Sequence, residues 1–305
     1  MSPEARADAL TETVGIIGVG NMGGGMAKRL LSQGWSVHVC DIDPHKTEAL
    51  QHLGANVHGS PAALAQQVPT LIVCVVNTNE VQDVLSGTAT APGLLGAVHS
   101  HHTVVLCPTL SPNDVAHIAA QLAAHQVRTI DAPMSGGPVR AEQGSMSLMV
   151  ACEDAVFAAH ERLLNTLSSQ VFRISQRVGD GARTKLVNNL LAGIHLVGAA
   201  EALALAERLG LSPDTTLSVI AQSSGQSWIG SDRMQRALQN DWQPRAHMSL
   251  LTKDTALAQQ AAKAVGFQGV LGEAATQAFA EACAAGLSDW DDAAMLHWMR
   301  QQQQR

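Results

Sequence analysis

The stretch Thr13-Val-Gly-Ile-Ile-Gly-Val-Gly-Asn-Met-Gly23 decides the fold. Its first five residues are an apolar run of strand length, and Gly18-x-Gly20-x-x-Gly23 follows at once. Met26-Ala-Lys-Arg-Leu-Leu31 then reads as a helix, which Gly34 ends. Trp35-Ser-Val-His-Val-Cys40 alternates like a second strand and stops at Asp41. Together these make a β-α-β unit of about 30 residues.

Each glycine has a physical task in such a unit. Gly18 permits the tight turn, Gly20 lets a pyrophosphate approach bare backbone, and Gly23 lets helix and strand pack closely. The helix N-terminus then offers oriented N–H groups to the phosphates. Asp41, at the end of the second strand, can accept hydrogen bonds from the adenosine ribose and would repel a 2′-phosphate. No arginine follows it in Ile42-Asp-Pro-His-Lys46. The pattern points to NAD rather than NADP, held by Gly18, Val19, Gly20, Asn21, Met22, Gly23 and Asp41. The competing reading is a glycine-rich turn needed only for packing.

Further β-α units extend outward from this one. Thr70-Leu-Ile-Val-Cys-Val-Val76 is a nearly continuous apolar run, as a strand buried on both faces should be. Asn77-Thr-Asn79 turns it into a helix near Glu80, which makes Val76 and Asn77 candidate cofactor contacts. Thr103-Val-Val-Leu-Cys107 leads through Pro108-Thr109 to a helix from Asn113 to about His125. Val127-Arg-Thr-Ile130 ends at Asp131, and 145–151 and 171–174 complete the sheet. The fold class is α/β: a doubly wound, mostly parallel sheet of the Rossmann type, with its ligand loops at the strand ends.

The loop after Asp131 reads Ala-Pro-Met-Ser135-Gly136-Gly137. A hydroxyl beside closely spaced backbone N–H groups can hold a carboxylate without a cationic side chain. Taken alone it is as readily an ordinary loop. Gly179-Asp-Gly-Ala-Arg-Thr-Lys-Leu-Val-Asn-Asn189 then opens an all-helical remainder, with one long helix expected over 185–209. Lys185 and Asn189 are four apart and share a helix face. Residues 186–200 hold no charge, so Lys185 stands at the mouth of an apolar helix, where desolvation would draw a lysine pKa down. That suits proton transfer, although a lone lysine there is more often a solvated first-turn residue. An apolar surface on nearly every side implies burial all round, more than a small helical domain supplies, so the other domain and a second subunit are expected to cover it: a homodimer or homotetramer. Ser223-Ser-Gly-Gln-Ser-Trp228 and Lys253-Asp254 read as a loop and a helix cap.

Composition limits the function. The chain has 305 residues, enough for two domains with separate cores. Their expected extents are 13–178 for the NAD-binding domain and 179–300 for a helical substrate and dimerisation domain that begins with the inter-domain helix. Polar tails are expected at 1–12 and 301–305. Net charge is −7 with no basic run, which argues against a nucleic-acid binder. The apolar run 186–200 is shorter than the roughly 20 residues that cross a bilayer, so no membrane span is read. Five widely spaced cysteines without a Cys-x-x-Cys pair fit a reduced, cytoplasmic protein. His99, His101 and His102 lack a further ligand at metal spacing, so no metal is expected.

With these motifs in order, the sequence resembles the β-hydroxyacid dehydrogenase family, which includes 3-hydroxyisobutyrate dehydrogenase and tartronate semialdehyde reductase. The resemblance runs from about Val14 to Met299. It rests on Gly18–Gly23, Asp131-Ala-Pro-Met-Ser-Gly-Gly137, Gly181-Ala-Arg-Thr-Lys-Leu-Val-Asn-Asn189 and Lys253-Asp254. It implies that Ser135, Gly136 and Gly137 bind a substrate carboxylate, that Lys185 is the acid/base and that Asn189 orients the substrate. It also implies that Thr109 and Lys253 lie by the cofactor. The family's Ser-Thr motif reads Pro108-Thr109 here, and an aromatic position seven before Lys253 is Ala246. Gly225-Gln-Ser-Trp-Ile-Gly-Ser-Asp-Arg-Met234 and Gln243-Pro-Arg245 are most similar to the L-threonate dehydrogenase branch. The implied substrate is a small hydroxy acid. L-Threonate or a similar four-carbon sugar acid is the first choice, with 3-hydroxyisobutyrate and tartronate semialdehyde as alternatives. An imine reductase and a non-catalytic NAD-binding regulator are the readings of other classes.

Overall fold

The computed structural model describes residues 12–302. They divide into two compact units, the first ending at Lys185 and the second beginning at Leu186.

The first unit alternates strand and helix. In order it holds β1 (Thr13–Ile17), α1 (Asn21–Ser32), β2 (Ser36–Cys40), α2 (Pro44–Gln51), β3 (Asn56–Val57), α3 (Pro61–Ala65), β4 (Thr70–Val73) and α4 (Thr78–Ser86). There follow β5 (Thr103–Leu106), α5 (Pro112–Ala124), β6 (Arg128–Asp131), β7 (Met134–Ser135), α6 (Gly137–Gln143), β8 (Met146–Ala151), α7 (Asp154–Leu167) and β9 (Ser168–Ser175). The strands form one sheet in the order β3-β2-β1-β4-β5-β6-β8-β7, with β9 on β8. β1 to β6 pair in parallel, β8 runs antiparallel to β6 and β7, and β9 is parallel to β8. The strand order reverses between β1 and β4, which is the switch point where doubly wound sheets bind ligands.

Alternation of side chains explains the two-faced core. Val14 and Ile16 of β1 bury against Met26 and Leu30 of α1 and against α7, whereas Ile17 joins Val73, Leu85 and Ile118 on the other face. Local capping sets the helix starts. Ser60 and Ser111 each accept an N–H bond at the head of α3 and α5, and Pro61 and Pro112 fill the first helical positions.

The segment 131–144, read as a loop, also contains the short strand β7 and the helix α6. The helix α7, with Val156, Leu163, Leu164 and Leu167 buried, was not read from the sequence.

The second unit takes up α8 (Asp180–Arg208), whose first residues belong to the first unit. It continues with α9 (Pro213–Ala221), α10 (Trp228–Leu238), α11 (Met248–Ala264) and α12 (Val270–Ala282). A wider turn (Cys283–Leu287), a 3-10 turn (Asp292–Ala294) and α13 (Met295–Gln302) complete it. Leu196 and Leu203 of α8 enter its core beside Met234, Phe279, Met295 and Trp298. A buried ion cluster joins α10 to the 3-10 turn: Arg233 Nε lies 2.7 Å from Asp292 Oδ1, and Arg236 Nη1 lies 2.9 Å from Asp291 Oδ1.

Several expectations for this unit change. α8 starts at Asp180 rather than Lys185, because a distant carboxylate caps it, as described below. Within the single chain Val187, Leu191 and Leu205 of α8 are 71, 52 and 57% exposed, on the helix for which a covering partner is expected. By length and composition α8 is long and apolar enough to cross a membrane, yet its inner face lies in the core just described. Lys253 and Asp254 sit inside α11 rather than at a cap, while Ser227 does cap α10. The expected tail at 1–12 lies almost wholly outside the described residues; at the other end α13 continues through Gln302.

Candidate active site

The glycine turn joins β1 to α1 at the switch point. Gly18 has φ +86°, a conformation that glycine adopts without strain. A Cβ at Gly23 would stand 2.0 Å from Gly18 O, so only glycine allows the helix this close to the turn. Gly20 differs: a Cβ there would meet nothing within 4 Å, so its backbone faces open space. No side chain caps the start of α1, and its first turn holds no acid. Bare backbone, open space and an uncapped helix start fit a pyrophosphate. Val19 donates its N–H to Asp41 Oδ2 at 2.7 Å, and Asp43 donates its own to Oδ1 at 2.9 Å, which fixes the carboxylate at the end of β2. Lys46 Nζ lies 4.0 Å from the same Oδ1.

The neighbouring strand ends are braced from within. Asn77 caps α4 by accepting from Glu80 N–H at 3.0 Å. Glu80 in turn accepts from Asn77 Nδ2 at 2.7 Å and from Val76 N–H at 2.9 Å. This reciprocal cap leaves the Val76 side chain 48% exposed beyond β4. Thr109 is half-buried between β5 and α5. Just after it, Asp114 accepts from Ser111 Oγ at 2.8 Å and from Thr78 Oγ1 at 3.0 Å, tying the two loops together.

Ser135 ends β7, where it pairs with Ser147, and Gly136 and Gly137 lead into α6. Gly136 has φ +132°, and the stem of Arg140 lies against it: a Cβ there would be 2.8 Å from Arg140 Cδ. Four residues before Ser135, Asp131 is buried with 1% exposure. Its Oδ2 accepts the N–H groups of Gly179 at 2.8 Å and Ala182 at 3.1 Å, at the head of α8. Burial pushes its carboxyl up to about 6 in spite of these bonds. Beside it, the Arg177 hydrogen bond holds Asp180 down to about 2.

Lys185 and Asn189 lie one turn apart on α8, and each is only 7% exposed. Within the second unit, Asn189 Nδ2 donates to Asp254 Oδ2 at 2.6 Å, and Asn189 Oδ1 accepts from Asn188 Nδ2 at 3.0 Å. Lys253 Nζ pairs with Asp254 Oδ1 at 2.8 Å and is a quarter exposed. Both ends of the Asn189 amide are therefore held.

Three residues outside the expected site set hold its members in place: Asp131 and Glu80 within the first unit, and Asp254 within the second. Asp131 and Asp254 were visible only as letters in motifs, since their partners lie 48 and 65 positions away. Glu80 carried a local signal, the Asn-x-x-Glu spacing. Among the described residues no three His, Cys, Asp or Glu side chains are grouped to hold a metal ion. The five cysteines are free, and burial raises the Cys74 thiol to about 12.

Known proteins match along nearly the whole chain. Residues 13–175 match the family model described as the NAD binding domain of 6-phosphogluconate dehydrogenase. Residues 179–299 match the one described as NAD-binding of NADP-dependent 3-hydroxyisobutyrate dehydrogenase. An L-threonate dehydrogenase of Cupriavidus necator is 33% identical over 94% of this chain and 96% of its own. The human mitochondrial 3-hydroxyisobutyrate dehydrogenase is 30% identical over 98 and 90%. A crystal structure of 3-hydroxyisobutyrate dehydrogenase from Salmonella typhimurium superposes with a TM-score of 0.87 at 35% identity, covering 94% of this chain and 99% of that one.

Proposed function

Because the chain belongs to the β-hydroxyacid dehydrogenase family, and is an NAD-dependent oxidoreductase acting on carbon–hydroxyl groups, we propose that it oxidises L-threonate or a similar four-carbon sugar acid with Lys185 as the base. The observation that carries the reading is the burial of Lys185 on the helix face it shares with Asn189, since lysine is seldom buried without a task.

When bound, NAD supplies the two-electron acceptor for the hydrogen that leaves the substrate carbon. The chain's own residues bind, orient and move the proton. The Ser135 hydroxyl and the Gly136 and Gly137 N–H groups hold the substrate carboxylate. Lys185 takes the hydroxyl proton at Nζ and returns it in the reverse direction. Asn189 hydrogen-bonds the substrate without adding a charge, its amide steered by Asp254. Gly18 to Gly23 carry the phosphates and Asp41 the ribose. Asp41, fixed by two backbone N–H groups, favours NAD over NADP. Val76, Asn77, Thr109 and Lys253 complete the cofactor's surroundings.

Relatives named L-threonate dehydrogenase in Cupriavidus necator, Pectobacterium atrosepticum and Escherichia coli support the substrate. Ala246, small where many members of the family carry an aromatic residue, weighs against 3-hydroxyisobutyrate. The exposed apolar stripe of α8 is the support for a homodimer or homotetramer. A cytoplasmic location accords with five free cysteines. The test is NADH formation with L-threonate, D-glycerate and 3-hydroxyisobutyrate at equal concentration. The highest kcat/KM is expected for L-threonate; faster turnover of 3-hydroxyisobutyrate would refute the substrate assignment.

A further inference from the structure

Asp131 closes β6, yet its carboxylate serves a helix 48 positions further on. The N–H groups it accepts, from Gly179 and Ala182, are among those that any helix start leaves without an internal partner. Gly179 has no side chain with which to cap α8 locally. The first turn also lies directly on the sheet: a Cβ at Gly181 would stand 2.6 Å from Met149 O and 2.9 Å from the Asp131 carboxyl. Lys185 follows Gly181 by one turn, and Ser135 follows Asp131 by four residues.

We propose that Asp131 is a positioning residue: by capping α8 it fixes Lys185 relative to the Ser135-Gly136-Gly137 loop, which leaves the same strand. The proposal rests on the reading of Lys185 as the proton acceptor. Linkage separates this role from a purely stabilising one. The Asp131 carboxyl titrates near 6 in the fold against an ordinary 3.8. Stability from this group is therefore present in full below 3.8 and lost as pH rises through about 6. At neutral pH the ionised cap is kept at a cost to folding. Two titratable groups face it. Asp180, held ionised by Arg177, Ser175 and Arg183, raises it further, and Cys107 stays neutral because burial drives its thiol far up. As pH falls through about 6, the bonds to Gly179 and Ala182 lose their charge assistance and the start of α8 loosens.

Three variants test it, each with and without Lys185→Met, using the fastest acid of the substrate panel. Asp131→Ala removes the acceptor, Gly181→Ala pushes the first turn off it, and Asp131→Asn keeps a neutral acceptor of the same size. The alanine variants should lose about 10–100-fold in kcat, the size of a displacement near 1 Å, with KM for NAD within about twofold. Asp131→Asn, the size and neutrality of the protonated acid, should keep more kcat than the alanine variants, hold it at the level the original protein reaches below pH 6, and abolish the acid limb near 6. Amide exchange over 179–186 should quicken most in the two alanine variants and less in Asp131→Asn. On the Lys185→Met background Asp131→Ala should add less than about twofold, as expected of residues acting as one unit. Unchanged kcat in folded Asp131→Ala and Gly181→Ala, or the same fold-loss on the Lys185→Met background, would overturn the proposal. An active Lys185→Met protein would remove the reading beneath it, an outcome distinct from either.

Discussion

Asn189 donates a 2.6 Å hydrogen bond from Nδ2 to Oδ2 of Asp254, 65 positions away on α11. The bond is buried and charge-assisted, and it fixes which end of the amide points away from Asp254. Replacing Asp254 with Ala frees the amide to turn. Hydrogen bonds to charged groups are worth about 1.5–3 kcal/mol, so kcat/KM should fall by roughly 10–100-fold. Steady-state kinetics on folded protein check this; an unchanged kcat/KM would leave Asp254 a packing residue.

Asp41 sets the second expectation. Asp41→Ala removes the acceptor for Val19 N–H and a partner of Lys46, which lies 4.0 Å from Oδ1. KM for NAD should rise, while the loss of one of the two carboxylates beside Lys46 removes a negative charge that repels a 2′-phosphate. The preference for NAD over NADP should narrow by about tenfold or more, measured as a ratio of kcat/KM values. Equal efficiency with both cofactors in the unmutated protein would contradict the role given to Asp41.

A histidine pair at the sheet edge predicts a pH effect on stability. His38 Nδ1 lies 2.8 Å from His58 Nε2, with the rings stacked. Burial, and for His38 the nearby His58, hold both below their ordinary value of 6.5. For a base held low in the fold, stability is present above 6.5 and lost as pH falls toward the folded value. The pair's contribution should therefore fall between pH 7 and 5, against the opposite trend from Asp131 over the same range, so His58→Gln should raise the thermal midpoint at pH 5 relative to pH 7 when compared with the original protein. An identical pH slope in the variant would show that the pair is not responsible.

The sequence and the structure agree where the signal is local. The β-α-β unit is read correctly because strand, turn and helix follow one another within 30 residues, each with its own periodicity. The shared helix face of Lys185 and Asn189 follows from their spacing, whereas the burial of Lys185 does not, since a lysine at a helix start is more often solvated. What was missed depends on distant partners. The start of α8 moved from Lys185 back to Asp180 because its cap comes from Asp131, across the sheet. Lys253-Asp254 reads as a cap on local evidence; in the fold the pair sits inside α11, where Asp254 is paired with Lys253 and Asn189.

The central claim is that Lys185 moves the substrate proton. Lys185→Met keeps the length and the apolar stem but deletes the acceptor, while the phosphates remain on the Gly18–Gly23 turn, so NAD binding should survive. Lys185→Arg should fail as well, since a guanidinium stays protonated. The most direct measurement is single-turnover NADH formation at saturating NAD and substrate, with and without the lysine. A fall of roughly 10²–10⁴-fold, the usual size of general acid–base catalysis, is the predicted result. A Lys185→Met protein within a few-fold of the original would contradict it, and would leave Lys185 as a buried lysine of the helix start and no more.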